Sequence, residues 1–494
     1  LISVTEDSCA TWRKVERLEG VPDRTYVSDL EASRHDESVV YAAFDAHKNG
    51  DFKPYLFRSA DKGATWTSIA GDLPANNVCY SIAEDHKLPG LLFVGTEYGA
   101  YYTLDGGKKW IKIGGLPVIA VRDIDVQRRE NDLVLGTFGR GIYIVNDYSP
   151  LHAASDELLL KPAAFFPVKP ALSFPTRSRL GYGGRGWSGA TYWTAPNPAF
   201  GATFTYHVKD KTPTLREQRI ERQDKPDWKY PTMEEFRTER NELEPEFFLT
   251  IRDGAGEVVR RIPAPRGPGI HRTTWDLRRV TTAQSDGSLG GPAGHPVPPG
   301  KYTVTLSRIK DASTEDLAGP EPFEVVEARL NPNAADAEAW AAKEAFRSKV
   351  EGLQRAMNAS ARVLGELDQR VTTIRRAVTQ TPGASLELLK GADALRNRLR
   401  TVREALYGDP ELDRRVEPDV PSLFARVGFA ANGVSESTEP VTASAREQYE
   451  FAAAGFEPQL EELRRLETEV SALAAEADRA GAPWTGGGLP DWKR

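Results

Sequence analysis

The sequence has little cysteine: Cys9 and Cys79 are the only two in 494 residues. Two thiols form neither a disulfide framework nor a metal site by themselves, and they leave the redox compartment open. The sequence also lacks a phosphate-binding loop, a Ser/His/Asp signature and zinc-ligand spacing. We therefore predict no cofactor and no metal.

Long apolar runs and basic runs are lacking as well. No stretch approaches the roughly 20 apolar residues that a membrane-spanning helix needs. There are 64 basic and 71 acidic residues, for a net charge of −7, so nucleic acid is not an expected partner. The length suggests about three domains. Because the chain begins at Leu1 rather than Met, we expect it to be a fragment or a processed product.

A short pattern recurs in the first 110 residues: hydroxyl, x, Asp, x, Gly, x, x, Trp. Two copies are complete, 59–66 and 103–110, while the copy at 5–12 has Cys9 in place of glycine. Their aspartates are 54 residues (61 minus 7) and 44 residues (105 minus 61) apart. That period suits a four-stranded blade of a β-propeller.

Each residue of the pattern has a physical role in a hairpin turn. The aspartate accepts hydrogen bonds from nearby backbone N–H groups, and glycine supplies a positive φ without steric cost. Tryptophan starts the next strand and fills the space between blades. The predicted structural residues are Asp7, Trp12, Asp61, Gly63, Trp66, Asp105, Gly107 and Trp110.

Strand-like segments accompany these turns. Segments 40–45, 92–97 and 133–138 align with one another, and each is followed by another strand. The strand that follows the third segment ends at Asn146-Asp147 without a following Gly or Trp. This predicts a final blade that lacks its own fourth strand. We therefore expect residues 1–150 to be the C-terminal blades of an incomplete propeller that packs with upstream blades of the same protein.

This region resembles the Asp-box (BNR-repeat) superfamily, which includes sialidases, two-propeller xyloglucanases and the sortilin luminal domain. The phrases that carry a closer resemblance to bacterial glycosyl hydrolase or sortilin-like proteins lie at 45–55, 95–99, 122–123 and 136–143. The resemblance runs on through the C-terminal domains. It implies an extracellular or periplasmic protein with a glycan or peptide ligand on the propeller face.

The composition and the hydrophobic pattern change twice in the rest of the chain. Residues 151–199, rich in Pro, Gly and aromatics such as Gly181–Trp187, predict an ordered connector. Residues 200–330 carry strand signals that predict an immunoglobulin- or fibronectin-like β-sandwich. Its mostly charged insertion, 211–245, is interpreted as a solvated loop.

Residues 331–480 show apolar residues in steps of three and four, which predict an antiparallel three-helix bundle with a seam near 3.5 residues, followed by a tail at 481–494. A core stripe is the expected role of these residues, and a partner-binding seam is the alternative. Pro458 is expected to kink the third helix or to delay its start. The fold class is thus multidomain, mainly β and then α.

In a four-stranded blade, the aspartate turns lie on one face of the propeller and the loops between strands 2 and 3 lie on the other. That second face is where ligands are expected to bind. A glycosidase needs two carboxylates, and the candidates are Asp45, Asp51, Glu97 and Asp123. The ligand-binding candidates are Tyr98, Arg122, Phe138 and Arg140. A loop-closing ion pair or hydrogen bond is the alternative role for every one of them.

Two further patterns are weaker. Residues 45–51 superficially resemble the start of a calcium loop, but the twelfth position is Leu56 rather than glutamate. His35, His86 and His207 are expected to stand alone. Three functions stay open: a glycoside hydrolase, a sortilin-like protein that binds a peptide or polysaccharide, and a structural scaffold.

Overall fold

The computed structural model describes residues 2–176, 195–280, 293–311, 313–328, 335–435 and 437–486. The chain is mainly β up to residue 328 and helical beyond it. It divides into two units, Leu1–Lys161 and Pro162–Arg494. Within the described ranges, none of the helices combines the length and the apolar character needed to cross a membrane.

The first unit is a series of antiparallel sheets, and within each sheet every strand pairs with the next one along the chain. A hairpin, β1–β2, precedes two four-stranded sheets, blade A (β3–β6) and blade B (β7–β10), and a three-stranded sheet, sheet C (β11–β13). This meander is the architecture of propeller blades. The strands are β1 Ile2–Val4, β2 Arg13–Val15, β3 Tyr26–Ala32, β4 Val40–Asp45, β5 Tyr55–Ser59, β6 Thr67–Ser68, β7 Cys79–Glu84, β8 Leu92–Thr96, β9 Gly99–Thr103, β10 Ile111–Lys112, β11 Val121–Gln127, β12 Asp132–Thr137 and β13 Ile142–Val145, and the helix α1 is Asp156–Leu160.

Neighbouring sheets pack face to face through apolar side chains. Leu56 of blade A and Val94 of blade B lie in one core, and Phe93 of blade B and Leu135 of sheet C lie in the next. Each blade therefore buries both faces, which fits strands that read as nearly continuous apolar runs. A similar core joins β1–β2 to blade A.

The β part of the second unit contains two larger sheets around one core, ordered β14-β16-β19 and β15-β23-β22-β17-β18, and a small sheet, β20-β21. The predicted connector contains β14 and β15, and Gly181–Trp187 lies outside the described residues. The strands are β14 Ala163–Phe165, β15 Ala171–Ser173, β16 Ala202–Val208, β17 Glu246–Asp253, β18 Val258–Ala264, β19 Gly269–Trp275, β20 Arg278–Val280, β21 Ala293–Pro296, β22 Gly300–Lys310 and β23 Ser313–Glu327.

The charged insertion is not the loop that the sequence suggested. It contains two helices, α2 (Leu215–Arg222) and α3 (Met233–Asn241). Each begins with a capping box. The side chain of Thr214 or Thr232 accepts a hydrogen bond from the backbone N–H of the glutamate three residues later, and the side chain of that glutamate accepts one from the backbone N–H of the threonine. Reciprocal capping of this kind satisfies N–H groups that would otherwise lack a partner, so it helps to stabilise a short polar helix.

The C-terminal region is helical and has its own apolar core. Residues of the predicted stripes, such as Val350, Leu399 and Val470, are buried in it. A further packed helix, α7, was not predicted, and α8 continues through Pro458 without a delayed start. The helices are α4 Ala337–Gln380, α5 Leu386–Tyr407, α6 Pro410–Arg415, α7 Leu423–Ser435 and α8 Ala443–Arg479.

Candidate functional site

The first strand of each of the three larger sheets in the first unit contains a β-bulge at an equivalent position. The pairing register skips Ser28 in β3, Tyr80 in β7 and Arg122 in β11. A bulge re-aims the side chain of the extra residue and is frequent beside functional sites. The repeat thus presents three chemically different side chains, a hydroxyl, a phenol and a guanidinium, from one backbone feature.

Two of these side chains meet. The Arg122 guanidinium lies 3.9 Å from the centre of the Tyr80 ring and 5.5 Å from that of Phe138. The Tyr80 hydroxyl donates a hydrogen bond to the Glu97 carboxylate. Burial, followed by this hydrogen bond, raises the pKa of Tyr80 above its ordinary value. Arg122, Phe138 and Glu97, all predicted from sequence, therefore form one cluster (the Arg122 cluster) through Tyr80, which was not predicted.

The Arg122 guanidinium lacks an anionic partner within the described residues. No carboxylate lies within ion-pair distance of it there, and the side chain is exposed. Phe138 is also exposed, with 69% of its surface accessible. A guanidinium held by aromatic rings keeps its hydrogen-bond donors free, so it can bind an acceptor of a ligand.

Asp45 and Asp51 lie at the two ends of the β4–β5 connection. Asp45 accepts hydrogen bonds from the backbone and the ring Nδ1 of His47, at 2.9 and 2.6 Å. The charge on Asp45 contributes to the raised pKa of Tyr80, which places it near the Arg122 cluster. Asp51 accepts from the Tyr55 hydroxyl at 2.7 Å, and this bond lowers the pKa of Asp51. Both aspartates thus have roles within their own loop.

The other candidates lie around the same strand ends. Tyr98, in the β8–β9 turn, is 47% exposed. Arg140 is exposed in the β12–β13 turn, and Asp123 is exposed on β11. None of the three has a side-chain contact with the Arg122 cluster among the described hydrogen bonds, ion pairs and ring contacts.

A carboxylate that the sequence analysis missed is Asp29, which follows the bulge in β3 as Asp123 follows the bulge in β11. Its oxygens accept from the backbone N–H groups of Leu30 at 2.8 Å and Ile82 at 2.9 Å. Burial raises the pKa of Asp29, and the charge on Asp123 contributes. The bond to Ile82 also joins blade A to blade B. The repeat itself could have identified Asp29, because residues 29 and 123 occupy equivalent positions in their sheets.

The aspartate turns are residues 5–12, between β1 and β2, and residues 59–66 and 103–110, between the third and fourth strands of blades A and B. In the second, Asp61 accepts from the Ser59 hydroxyl at 2.7 Å and from the Thr65 N–H at 2.8 Å. Bonds from Thr65 are the main reason that the pKa of Asp61 falls to about 2. The Gly63 N–H donates to Ser59 at 2.8 Å and closes the turn.

The same bonds recur around Asp7 and Asp105. At the first turn Cys9 replaces glycine and still donates its N–H to Thr5 at 2.9 Å. These aspartates are engaged by their own turns, away from the Arg122 cluster. Their hydrogen bonds hold the hairpin turns.

The three turn tryptophans differ in burial. Trp110 is buried and donates its Nε1–H to the Ile69 carbonyl of blade A at 3.0 Å. Trp66 is half-buried and packs against the core around Phe57. Trp12 is 53% exposed. Filling of the space between sheets is thus seen fully at Trp110 and partly at Trp66.

At the opposite end of β7, a buried carboxylate gathers histidines that the sequence analysis placed alone. Asp85 accepts from the Tyr148 hydroxyl at 2.8 Å and lies 3.1 Å from His152 Nε2 and 3.5 Å from His86 Nδ1. His35 Nε2 contacts the Asp85 carbonyl at 2.8 Å. His35 and His86, which were expected to stand alone and to form no metal cluster, thus both contact Asp85.

The cluster around Asp85 has a structural role. Burial acts to raise the pKa of Asp85, but hydrogen bonds from Leu88, Tyr148 and His152 lower it overall. The segment after β13 is thereby attached to β7. In the described part of the chain, no group of three or more His, Cys, Asp or Glu side chains could hold a metal ion.

No protein-family model matches the chain, and no curated protein sequence matches it either. Among solved structures, it is similar to YCF48 bound to D1 peptide (15% identity, 33% of this chain and 50% of that one, TM-score 0.21). It is also similar to the GH74 xyloglucanase from Xanthomonas campestris (12% identity, 64% of this chain and 51% of that one, TM-score 0.24) and to the GH74 enzyme of Niastella koreensis (13% identity, 66% and 47%, TM-score 0.24).

The chain spans about half the length of these solved structures. At TM-scores of 0.21 to 0.24 the likenesses carry no argument about activity. The strand pairing of the chain itself gives four-stranded antiparallel meanders, which is the arrangement of propeller blades.

Proposed function

We propose that the first unit binds a glycan at the Arg122 cluster. The observation that carries the proposal is the pairing of an exposed aromatic ring, Phe138, with a guanidinium that has no carboxylate partner among the described residues. A sugar offers an apolar C–H face that can pack on the ring and hydroxyl or carboxylate oxygens that can accept from Arg122. Tyr98, in a neighbouring turn, adds a second exposed ring.

The test is a glycan and peptide binding screen on the full chain. Phe138→Ala and Arg122→Ala should each weaken a glycan hit by about tenfold, which corresponds to about 1.4 kcal/mol. Lys108→Ala, an exposed change at an aspartate turn, is the control and should leave binding unchanged. A glycan that binds both variants as well as the unaltered chain would refute this site. Hits restricted to peptides would support the sortilin-like alternative, and the absence of any hit would favour a scaffold.

A second candidate function, glycoside hydrolysis, has one observation in its favour. Asp29 and Asp123 occupy equivalent positions on β3 and β11, and burial keeps the pKa of Asp29 above its ordinary value. A glycosidase uses one carboxyl group as an acid and a second as base or nucleophile, with separated pKa values. Asp29 would be the acid and Asp123 its partner.

Hydrolysis is tested on the glycan that the screen identifies. Asp29→Asn and Asp123→Asn should each abolish release of reducing ends while leaving binding within about twofold, because the amide keeps the shape of the side chain. Loss of folding in Asp29→Asn, with full activity in Asp123→Asn, would instead assign Asp29 to the attachment of blade A to blade B.

We further propose that the first unit belongs to the Asp-box superfamily and to a sortilin-like or glycosyl hydrolase-like protein. The recurrent aspartate turns support this assignment. The two-sheet core of the second unit supports an immunoglobulin-like sandwich, and the packed helices support a bundle. Secretion to the periplasm or the exterior is part of the same proposal. Cell fractionation of the native source tests it, and recovery in the cytoplasm alone would contradict it.

A further inference from the structure

The five-stranded sheet of the second unit has a cleft on the face directed away from its core. On β17, Phe247, Leu249 and Ile251 lie in the core. Side chains alternate along a strand, so Phe248 and Thr250 face the other side. There they line a cleft of about 250 Å³.

The cleft has a buried floor and an exposed rim. Phe248, Thr250 and Ser307 are 3%, 4% and 2% exposed, although they lie on the face away from the core. The strand register places Thr250 directly opposite Thr305 on one side and Arg261 on the other. Arg261 is exposed at the rim. A ligand that enters this cleft therefore meets hydroxyl groups at the bottom and a cation at the edge.

The charges of the cleft are unbalanced. Arg252 and Arg261 both line it, and neither has a carboxylate within ion-pair distance among the residues that the structure describes. Arg252 donates one hydrogen bond to the Gly256 carbonyl at 3.0 Å. The Arg261 guanidinium lies 5.7 Å from the centre of the Phe248 ring. The carboxylate that lines the cleft, Asp316, accepts from the Ser307 hydroxyl at 2.6 Å.

We propose that this cleft binds the anionic groups of an acidic polysaccharide. A guanidinium presents a planar fork of donors that matches a carboxylate or a sulfate, and a threonine hydroxyl adds a donor of adjustable direction. Two such forks lie beside Thr250, Arg261 across the strand pair and Arg252 two residues along β17, and together they form an anion site on a sheet. The choice of a polysaccharide rests on the proposed glycan function, whereas the anion site rests on the cleft alone.

The experiment measures binding of three polymers to the full chain by calorimetry: polygalacturonate, dextran sulfate and uncharged dextran. One or both acidic polymers should bind, and the pair distinguishes a carboxylate from a sulfate as the preferred group. Binding should weaken as salt rises, because exposed charges are screened. Dextran should not bind at this cleft.

Arg252→Ala and Arg261→Ala should each reduce acidic-polymer affinity about tenfold, since each removes a charge-assisted hydrogen bond to the polymer. Thr250→Val, which keeps the buried volume, should reduce it less. Arg261→Lys keeps the charge and should retain part of the affinity. Arg237→Ala on α3 removes an exposed guanidinium outside the cleft and is the matched control. Unchanged thermal melts show that each variant is folded.

Three outcomes overturn the proposal: neither acidic polymer binds, the control weakens binding as much as the cleft variants do, or binding is lost in Arg122→Ala and unaffected in the cleft variants. The last outcome would assign acidic glycans to the first unit. Conversely, if the cleft variants lose binding while Phe138→Ala changes no glycan interaction, the cleft stands and the function proposed for the Arg122 cluster fails.

Discussion

Cys9 and Gly63 adopt the same backbone conformation in successive aspartate turns, with φ angles of 73° and 79°. Gly107 occupies the third equivalent position with a φ of 99°. This left-handed region disfavours a residue that has a Cβ atom. The departure that the sequence shows at position 9 is therefore accommodated by backbone strain, and the turn itself is unchanged.

Replacing Cys9 by glycine should relieve that strain. We expect Cys9→Gly to stabilise the β1–β2 hairpin by about 0.5 to 1 kcal/mol. This value is the strain energy that the change removes, reduced by the larger conformational entropy that glycine has in the unfolded chain. Slower hydrogen exchange of the β1 and β2 amides would show it. The reciprocal change, Gly63→Ala, should cost about 1 kcal/mol, because its Cβ would also lie 3.3 Å from Val4 Cγ2. Equal exchange in all three proteins would contradict this account of Cys9.

Gly95 allows sheet C to approach blade B. A Cβ at this position would lie 2.6 Å from both the Ser81 Oγ and the Val121 carbonyl oxygen. Gly95→Ala should therefore destabilise the first unit by about 2 to 3 kcal/mol, as an overpacked core does. Gly136 is the equivalent residue of sheet C, where a Cβ would come no closer than 3.4 Å to its nearest neighbour, Asp123.

Gly136→Ala is thus the matched control and should change the stability by less than about 0.5 kcal/mol. Urea denaturation followed by tryptophan fluorescence measures both variants against the unaltered chain. If the two alanines cost the same, the close approach at Gly95 is not what requires glycine there.

The elements that could be predicted from sequence are those set by neighbouring residues. An aspartate turn such as 59–66 is closed by bonds within seven residues, so its pattern and its structure coincide. The capping boxes of α2 and α3 were just as local and were readable as a threonine followed three residues later by glutamate. The helix α7 was missed because small residues such as Ala430 and Ala431 form much of its buried face.

The candidate site was predictable only in part, since it depends on strand register. Arg122 and Glu97 could be placed at strand ends from the repeat. Their connection passes through Tyr80, a bulge residue, and a bulge arises from pairing between strands. Asp85 and His152 are 67 residues apart and meet only in the folded chain. No local pattern encodes such contacts.

The second unit should lose stability on acidification because of a buried histidine. Burial, together with Arg347 and Arg278, lowers the pKa of His295 to about 4. The facing charged groups also include Glu351, 3.7 Å away, and Arg279, which pairs with Glu344 on α4. The folded state thus favours neutral His295, whereas the unfolded chain takes up a proton near the ordinary pKa of about 6.5.

The sign follows from linkage. Above pH 6.5 His295 is neutral in both states, and stability falls as the pH decreases from about 6.5 to about 4, by at most on the order of 3 kcal/mol. Burial also raises the pKa of Glu351, and its protonation offsets part of this loss. Thermal melts between pH 4 and 8 should show a shallower dependence for His295→Gln. An unchanged slope would mean that other groups control the acid sensitivity.

Sheet C should drive self-association through its uncovered face. By strand register, Ile142 is equivalent to Leu56 in blade A and Ala100 in blade B, which are fully buried, yet it is 68% exposed. Ile144 on the same strand is 56% exposed. Such a face, on an edge strand that has no second partner strand among the described residues, favours contact with another sheet. We therefore expect the chain to self-associate as its concentration rises.

The variant Ile142→Lys/Ile144→Lys should weaken that association at least about tenfold, because two side chains that each contribute about 1.5 kcal/mol or more when buried become charged. Sedimentation velocity of the full chain over a concentration series is the measurement. Ile220→Lys, at a 48% exposed position on α2, is the control and should associate like the unaltered chain. A monomer at every concentration, or equal association of all three proteins, would show that this face does not mediate contacts, because the apolar surface of sheet C is what the prediction requires.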